Sequence, residues 1–140
     1  MAEATTVAPA PNTQPAVSGI AAVALAFFIP GGGYFLLRRP VRGLLVAAAV
    51  VIMFLAGVMM RGAFFQPQGG DLLNIIIYCG GFLAHVCTGA LYFITVALGY
   101  SQPDIAGHVH DYGAKMLVGA GLLNILAMVD VWEIATGQKD

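Results

Sequence analysis

The chain alternates long apolar runs with short polar segments, and this pattern predicts its fold. Residues 72–99 contain no Asp, Glu, Lys or Arg. As a helix, about 20 such residues cross the roughly 30 Å hydrocarbon core of a bilayer. Comparable runs lie at about 17–37, 43–60 and 112–134. The predicted fold class is therefore all-α, an integral membrane protein whose four transmembrane helices form two hairpins.

The first apolar run contains the strongest break in the pattern. Pro30 is followed by three glycines, Gly31 to Gly33. Proline removes a backbone donor from a helix, and glycine permits backbone conformations that other residues avoid. We therefore expect the first helix to be kinked or broken between Pro30 and Gly33. Any irregular backbone at membrane depth must be covered by protein or water.

Composition supports two regions, a tail and a membrane domain. Residues 1–16 are small, polar and proline-rich, which is typical of a flexible amino-terminal tail. Residues 17–136 form the predicted four-helix transmembrane domain. The whole chain is 59% hydrophobic and 9% charged, whereas soluble domains carry about 25% charged residues. Its few scattered charges offer no patch for nucleic acid, so the expected partners are membrane lipids and larger integral membrane subunits.

The distribution of basic residues predicts an orientation. With four spans, the first and third connections face the same side and carry four basic residues against two on the other side. The four are Arg38, Arg39, Arg42 and Lys115, and the two are Arg61 and Lys139. Because cytoplasmic loops are enriched in Lys and Arg, this bias places both termini outside the cytoplasm.

His85 is the first candidate for a functional role. It is the one ionisable group near the middle of the third run, and Gly81 and Gly89 lie four residues to either side. This spacing places the three residues, here called the His85 notch, on one helical face. The notch suits a flat cofactor such as chlorophyll or haem, with the imidazole as axial ligand, or a bound lipid. The simpler alternative is a hydrogen bond or close packing between helices.

The remaining polar residues suggest no reaction. His108 and His110 lie in a loop near Asp104 and Asp111, but their spacing matches no familiar zinc frame. We therefore predict no metal site. Asn124 lies within the fourth run and is expected to bond to another helix. The sequence lacks catalytic motifs such as HExxH, and we predict that the protein is not an enzyme.

Two stretches resemble known families. Residues 25–44, LAFFIPGGGYFLLRRPVRGL, are similar to the Pro-Gly-x-Gly-aromatic hairpin of the two-helix transmembrane domain group. Residues 111–139, with the motifs DYG and GLLN followed by Asp130, Ile134, Gly137 and Lys139, resemble the last span of uncharacterised acidobacterial four-helix membrane proteins. The resemblance implies a multi-pass protein of the bacterial inner membrane, and it implies no activity.

We expect a non-catalytic accessory subunit of a larger membrane complex. The resemblance suggests a photosynthetic reaction centre as one such complex, in which His85 would contact a pigment. The alternative is a stand-alone, self-associating membrane protein or transporter-like module, in which residues 30–33 form a broken helix that lines a site.

Overall fold

A computed structural model describes residues 18–65, 69–100 and 108–139, and this part of the chain is helical without strands. The tail predicted at 1–16 lies outside the described residues. The six helices follow in chain order: α1 Gly19–Phe28, α2 Gly32–Leu36, α3 Pro40–Met59, α4 Leu72–Val86, α5 Ala90–Ala97 and α6 His108–Ala135.

The two longest helices, α3 and α6, pack against each other in opposite directions. Small residues bring them close, since a Cβ on Gly57 would lie 2.7 Å from the Leu117 side chain. Val50, Phe54, Leu117 and Ala120 form the buried contact between them. We call the end where α3 begins and α6 finishes the Arg42 end, and the end where α3 finishes and α6 begins the Arg61 end.

The first apolar run turns back on itself and does not form one long helix. α1 begins at the Arg42 end, where Gly19 contacts the Trp132 ring. Its axis runs toward the middle of the bundle and stops before Pro30. Gly31 then adopts a positive φ of 77°, which allows a tight reversal. α2 returns to the Arg42 end, where the Tyr34 hydroxyl donates to Asp130 at 2.7 Å.

The third run also bends back, from the opposite end. α4 approaches the middle of α6 and stops at residues 87–89, and α5 leaves at a 97° bend. After α5, the Tyr100 hydroxyl donates to the Gly62 carbonyl at 3.2 Å. Burial raises the pKa of Tyr100, so this hydroxyl stays protonated as a donor. Gly62 packs against Gly113, which places Tyr100 at the Arg61 end.

The predicted number of membrane-spanning helices, four, is therefore too high. Two described helices, α3 and α6, are long and apolar enough to span a membrane, or three if the bent α4–α5 pair is one span. The runs at 43–60 and 112–134 each coincide with a single helix, α3 and α6 respectively. The run at 17–37 does not, because its ten-residue first helix ends where proline and a left-handed glycine reverse the chain.

Candidate functional site

Two helices and the turn that follows one of them bring polar side chains together near the middle of α6. The side chains of His85, Thr88 and Asn124 all have no solvent exposure. They come from α4, from the turn after α4 and from α6. Buried polar side chains at membrane depth are costly unless they are hydrogen-bonded, so their contacts decide what this cluster, here called the polar centre, can do.

Asn124 connects the carboxyl-terminal ends of the two half-length helices. Its Nδ2 donates to the Cys87 carbonyl at 2.7 Å and to the Ala26 carbonyl at 3.2 Å. Because both partners are acceptors, the amide nitrogen must face them, which fixes the orientation of the side chain. One amide thus binds the last turn of α1 to the end of α4.

The two helix ends approach each other at Gly89. This residue has a positive φ of 63°, and a Cβ there would overlap the Phe27 carbonyl and lie 3.0 Å from the Phe28 carbonyl. The unpaired carbonyls at a helix carboxyl terminus carry partial negative charge. The polar centre therefore gathers two such ends, and the Asn124 amide supplies donors to both.

His85 lies in an aromatic enclosure formed by its own chain. The Phe65 backbone N–H donates to His85 Nδ1 at 3.2 Å. The Phe65 ring stacks on the imidazole at 5.7 Å between centroids, and the Phe64 ring meets it edge-on at 5.2 Å. Since Nδ1 accepts a hydrogen bond, the neutral ring carries its proton on Nε2. In that tautomer Nε2 is a donor and has no lone pair for a metal.

Two polar atoms of the centre have no hydrogen-bond partner among the described residues, His85 Nε2 and Asn124 Oδ1. Thr88 is satisfied locally, because its hydroxyl donates to the His85 carbonyl at 2.6 Å. The two unsatisfied atoms are complementary in type, one donor and one acceptor.

The His85 notch does not form one continuous helical face. Gly81 and His85 belong to α4, whereas Gly89 follows the break after it. The space beside Gly81 is occupied by Phe65, whose ring a Cβ would approach to 2.7 Å. The space beside Gly89 is occupied by α1. The structure thus uses both glycines for close packing within the chain.

A pair of adjacent glycines tests whether this packing matters. We expect Gly81→Leu to lower the melting temperature in detergent, because overpacking costs about 1–3 kcal/mol. Gly80→Leu is the matched control, since nothing lies within 4 Å of a Cβ at Gly80. The measurement is thermal unfolding of both variants in the same detergent. Equal melting temperatures would mean that Phe65 does not occupy the notch.

The other candidates lie away from the polar centre. His108 and His110 are in the first turn of α6, where His110 Nδ1 donates to the Arg61 carbonyl. Asp104 lies outside the described residues. Asp130 is at the Arg42 end and pairs with Lys139 and Tyr34. Within the described ranges, no group of three or more His, Cys, Asp or Glu residues is arranged to hold a metal ion.

Sequence reasoning found Asn124 and His85 but missed what surrounds them. Asn124 does bond to other helices, as predicted. Phe64 and Phe65 belong to the segment after α3, and no periodicity links them to α4. The bond between Tyr34 and Asp130 joins residues 96 positions apart. A polar residue inside an apolar run is the signal that the sequence contains. It indicates which residue needs a hydrogen-bond partner, but not which group that partner is.

Over the described residues the protein is all-helical, and two or three of its helices are long and apolar enough to span a membrane. Residues 21–140 match a family of unknown function, DUF6677, and the chain belongs to that family. This match agrees with the expectation of an uncharacterised family and provides no link to the two-helix transmembrane domain group. No curated protein and no solved structure matches the chain.

Proposed function

We propose that this protein is a non-catalytic accessory subunit that binds a larger integral membrane protein through α4. The observation that supports this is the exposure of the first two turns of α4. Leu72, Leu73, Ile76 and Ile77 are between 51% and 75% exposed. All six residues at 72–77 are exposed, and at 100° per residue they cover every direction around the helix axis. This segment therefore has no face against its own bundle.

The composition of that segment favours a protein neighbour. Asn74 is exposed among these apolar side chains. A lipid-facing amide gains no hydrogen bond from acyl chains, whereas a neighbouring helix can supply one. The proposed partner is an apolar helix of a larger subunit with a polar group opposite Asn74.

Purification from native membranes in mild detergent tests this function. We expect the wild-type chain to co-purify with one larger integral membrane protein, and Ile76→Trp to lose it. Ile52→Trp is the matched control, because Ile52 is 65% exposed on α3 and lies outside the proposed contact. If the wild-type chain is isolated without a partner even in the mildest detergent, the proposal is rejected.

A second candidate is a transporter-like module, which the two half-length helices favour. α1 and α4 approach from opposite ends and present their carboxyl-terminal carbonyls to the polar centre. Discontinuous helices of this kind form cation sites near the midplane of secondary transporters. Sodium, potassium or proton flux into vesicles containing the purified chain would support this function and reject the accessory role.

A photosynthetic host and a pigment contact at His85 stay predictions from the sequence. The tautomer set by Phe65 makes His85 a poor axial ligand unless its hydrogen bond changes. An absorbance spectrum of the purified complex, compared between wild type and His85→Ala, tests the contact. Unchanged pigment bands in the variant would eliminate it.

We propose a new orientation in the bacterial inner membrane, because the ends of the bundle group the basic residues differently from the sequence prediction. The Arg42 end holds Arg38, Arg39, Arg42 and Lys139, and the Arg61 end holds Arg61 and Lys115. Two crossings, by α3 and α6, bring the start of α1 and the end of α6 to the same side. The basic bias then places that side in the cytoplasm.

A reporter fusion tests this orientation directly. We expect a fluorescent protein fused after residue 139 to fluoresce in bacteria, because green fluorescent protein exported in unfolded form does not mature. Alkaline phosphatase at the same position should be inactive. An active phosphatase fusion would instead support the orientation predicted from sequence, with both termini outside the cytoplasm.

A further inference from the structure

A cavity of about 360 Å³ lies at the Arg42 end, between α2, α3 and α6. Its volume falls within the range of small-molecule sites, roughly 300–1,000 Å³. It is separate from the polar centre, because its lining contains neither His85 nor Asn124. The chemistry of its walls changes from one end to the other.

The inner part of the cavity is apolar. Its walls are Val46 of α3 and Leu123, Leu126, Ala127 and Val129 of α6. Leu123 precedes Asp130 by seven residues, so it lies about 10 Å deeper along a helix that rises 1.5 Å per residue. Leu126 is 65% exposed, which leaves this wall open to the side. An open apolar groove at this depth suits an acyl chain.

The outer part of the cavity carries both signs of charge. Lys139 pairs with Asp130 and lies 3.9 Å from a Glu133 carboxylate oxygen. Asp130 is further satisfied by the Tyr34 hydroxyl. Glu133 has the longer contact, and its side chain is 41% exposed. The Lys139 ammonium and the Glu133 carboxylate lie side by side, so together they complement a ligand that carries one negative and one positive group.

We propose that this cavity binds a phospholipid with a primary amine, of the phosphatidylethanolamine class. One acyl chain lies against Val46 and Leu126, the phosphate accepts from Lys139, and the lipid ammonium donates to Glu133. The apolar inner wall explains why the ligand is a lipid and not free phosphate. This site is independent of the proposed partner contact on α4, because no cavity residue belongs to α4.

The groove is tested by blocking its open wall. Purified protein is mixed with detergent micelles containing phosphatidylethanolamine, and bound lipid is counted by native mass spectrometry. We expect Leu126→Trp to lower bound lipid about fivefold, the effect of losing roughly 1 kcal/mol of binding. Leu122→Trp is the matched control, because Leu122 is 55% exposed and does not line the cavity. Wild-type binding by Leu126→Trp would overturn the site.

The headgroup is tested by comparing two lipids. We expect wild-type protein to bind phosphatidylethanolamine about two- to fivefold better than phosphatidylglycerol, the range of a single exposed ion pair. Glu133→Gln should remove that preference, and Lys139→Gln should weaken binding of both lipids. Lys115→Gln, at the opposite end, should change neither. Equal binding of the two lipids by wild type, or an unchanged preference in Glu133→Gln, would overturn the proposed headgroup.

Discussion

Replacing Asn124 by leucine is expected to lower the free energy of unfolding by about 1–3 kcal/mol, since hydrogen bonds in membrane proteins average about 0.6 kcal/mol and reach about 1.7. Two bonds are lost together, to the Ala26 and Cys87 carbonyls. Both acceptors are at helix ends, where no backbone donor of the same helix replaces the amide. The change therefore loosens α1 and α4 at once.

The measurement is unfolding by increasing mole fraction of a denaturing detergent, followed by circular dichroism. Asn74→Leu is the matched control, because Asn74 is exposed and the substitution is chemically identical. We expect the control to unfold as the wild type does. If Asn124→Leu were as stable as Asn74→Leu, the Asn124 amide would not connect the two helix ends.

Replacing Gly89 by alanine is expected to have a large effect for a single added methyl group. The backbone there has φ 63° and ψ −128°, a conformation that costs a non-glycine residue about 1–3 kcal/mol. The added Cβ would also overlap the Phe27 carbonyl. A backbone atom cannot rotate away as a side chain can, so α1 and α4 must separate. We expect a total loss above about 3 kcal/mol of unfolding free energy.

Gly99→Ala separates the two causes. Gly99 also has a positive φ, 71°, but nothing lies within 4 Å of a Cβ there. This control therefore carries backbone strain without a steric overlap, and we expect it to cost about 1–2 kcal/mol. The same detergent unfolding assay compares both variants with wild type. A Gly89→Ala loss no larger than that of Gly99→Ala would show that the two helix ends do not touch.

The Asn124→Leu variant also bears on function. If the polar centre serves only to join helices, Asn124→Leu should reduce stability and leave co-purification with a partner subunit intact at low temperature. If the polar centre is part of a cation path, the same variant should abolish cation flux into vesicles while α4 still inserts into the membrane. This one variant thus distinguishes the two candidate functions.

Much of the helical content followed from hydropathy alone. α3 and α6 were predictable because a long apolar run in lipid satisfies its backbone hydrogen bonds within itself as a helix. The break in the first run was predictable too, since Pro30 and Gly31 are both unfavourable inside a helix. The direction taken after the break was not, because it depends on packing of Gly33 against Ala22 and Val131.

The candidate site was predictable as a set of residues but not as an arrangement. A histidine and an asparagine in apolar runs stand out in any sequence. Their partners are mainly backbone groups, the Phe65 N–H and the carbonyls of Ala26 and Cys87. Every residue carries such groups, so a sequence contains no signal for which of them will be used.

The sequence by itself determined that the chain carries helices long and apolar enough to span a membrane, because a long apolar run satisfies its own backbone hydrogen bonds as a helix. Only the tertiary structure decided that two of the four apolar runs turn back, and that Arg42 and Lys139 share one end. The physical reason is that hydropathy measures transfer into lipid, whereas reversal depends on contacts between distant glycines, carbonyls and side chains.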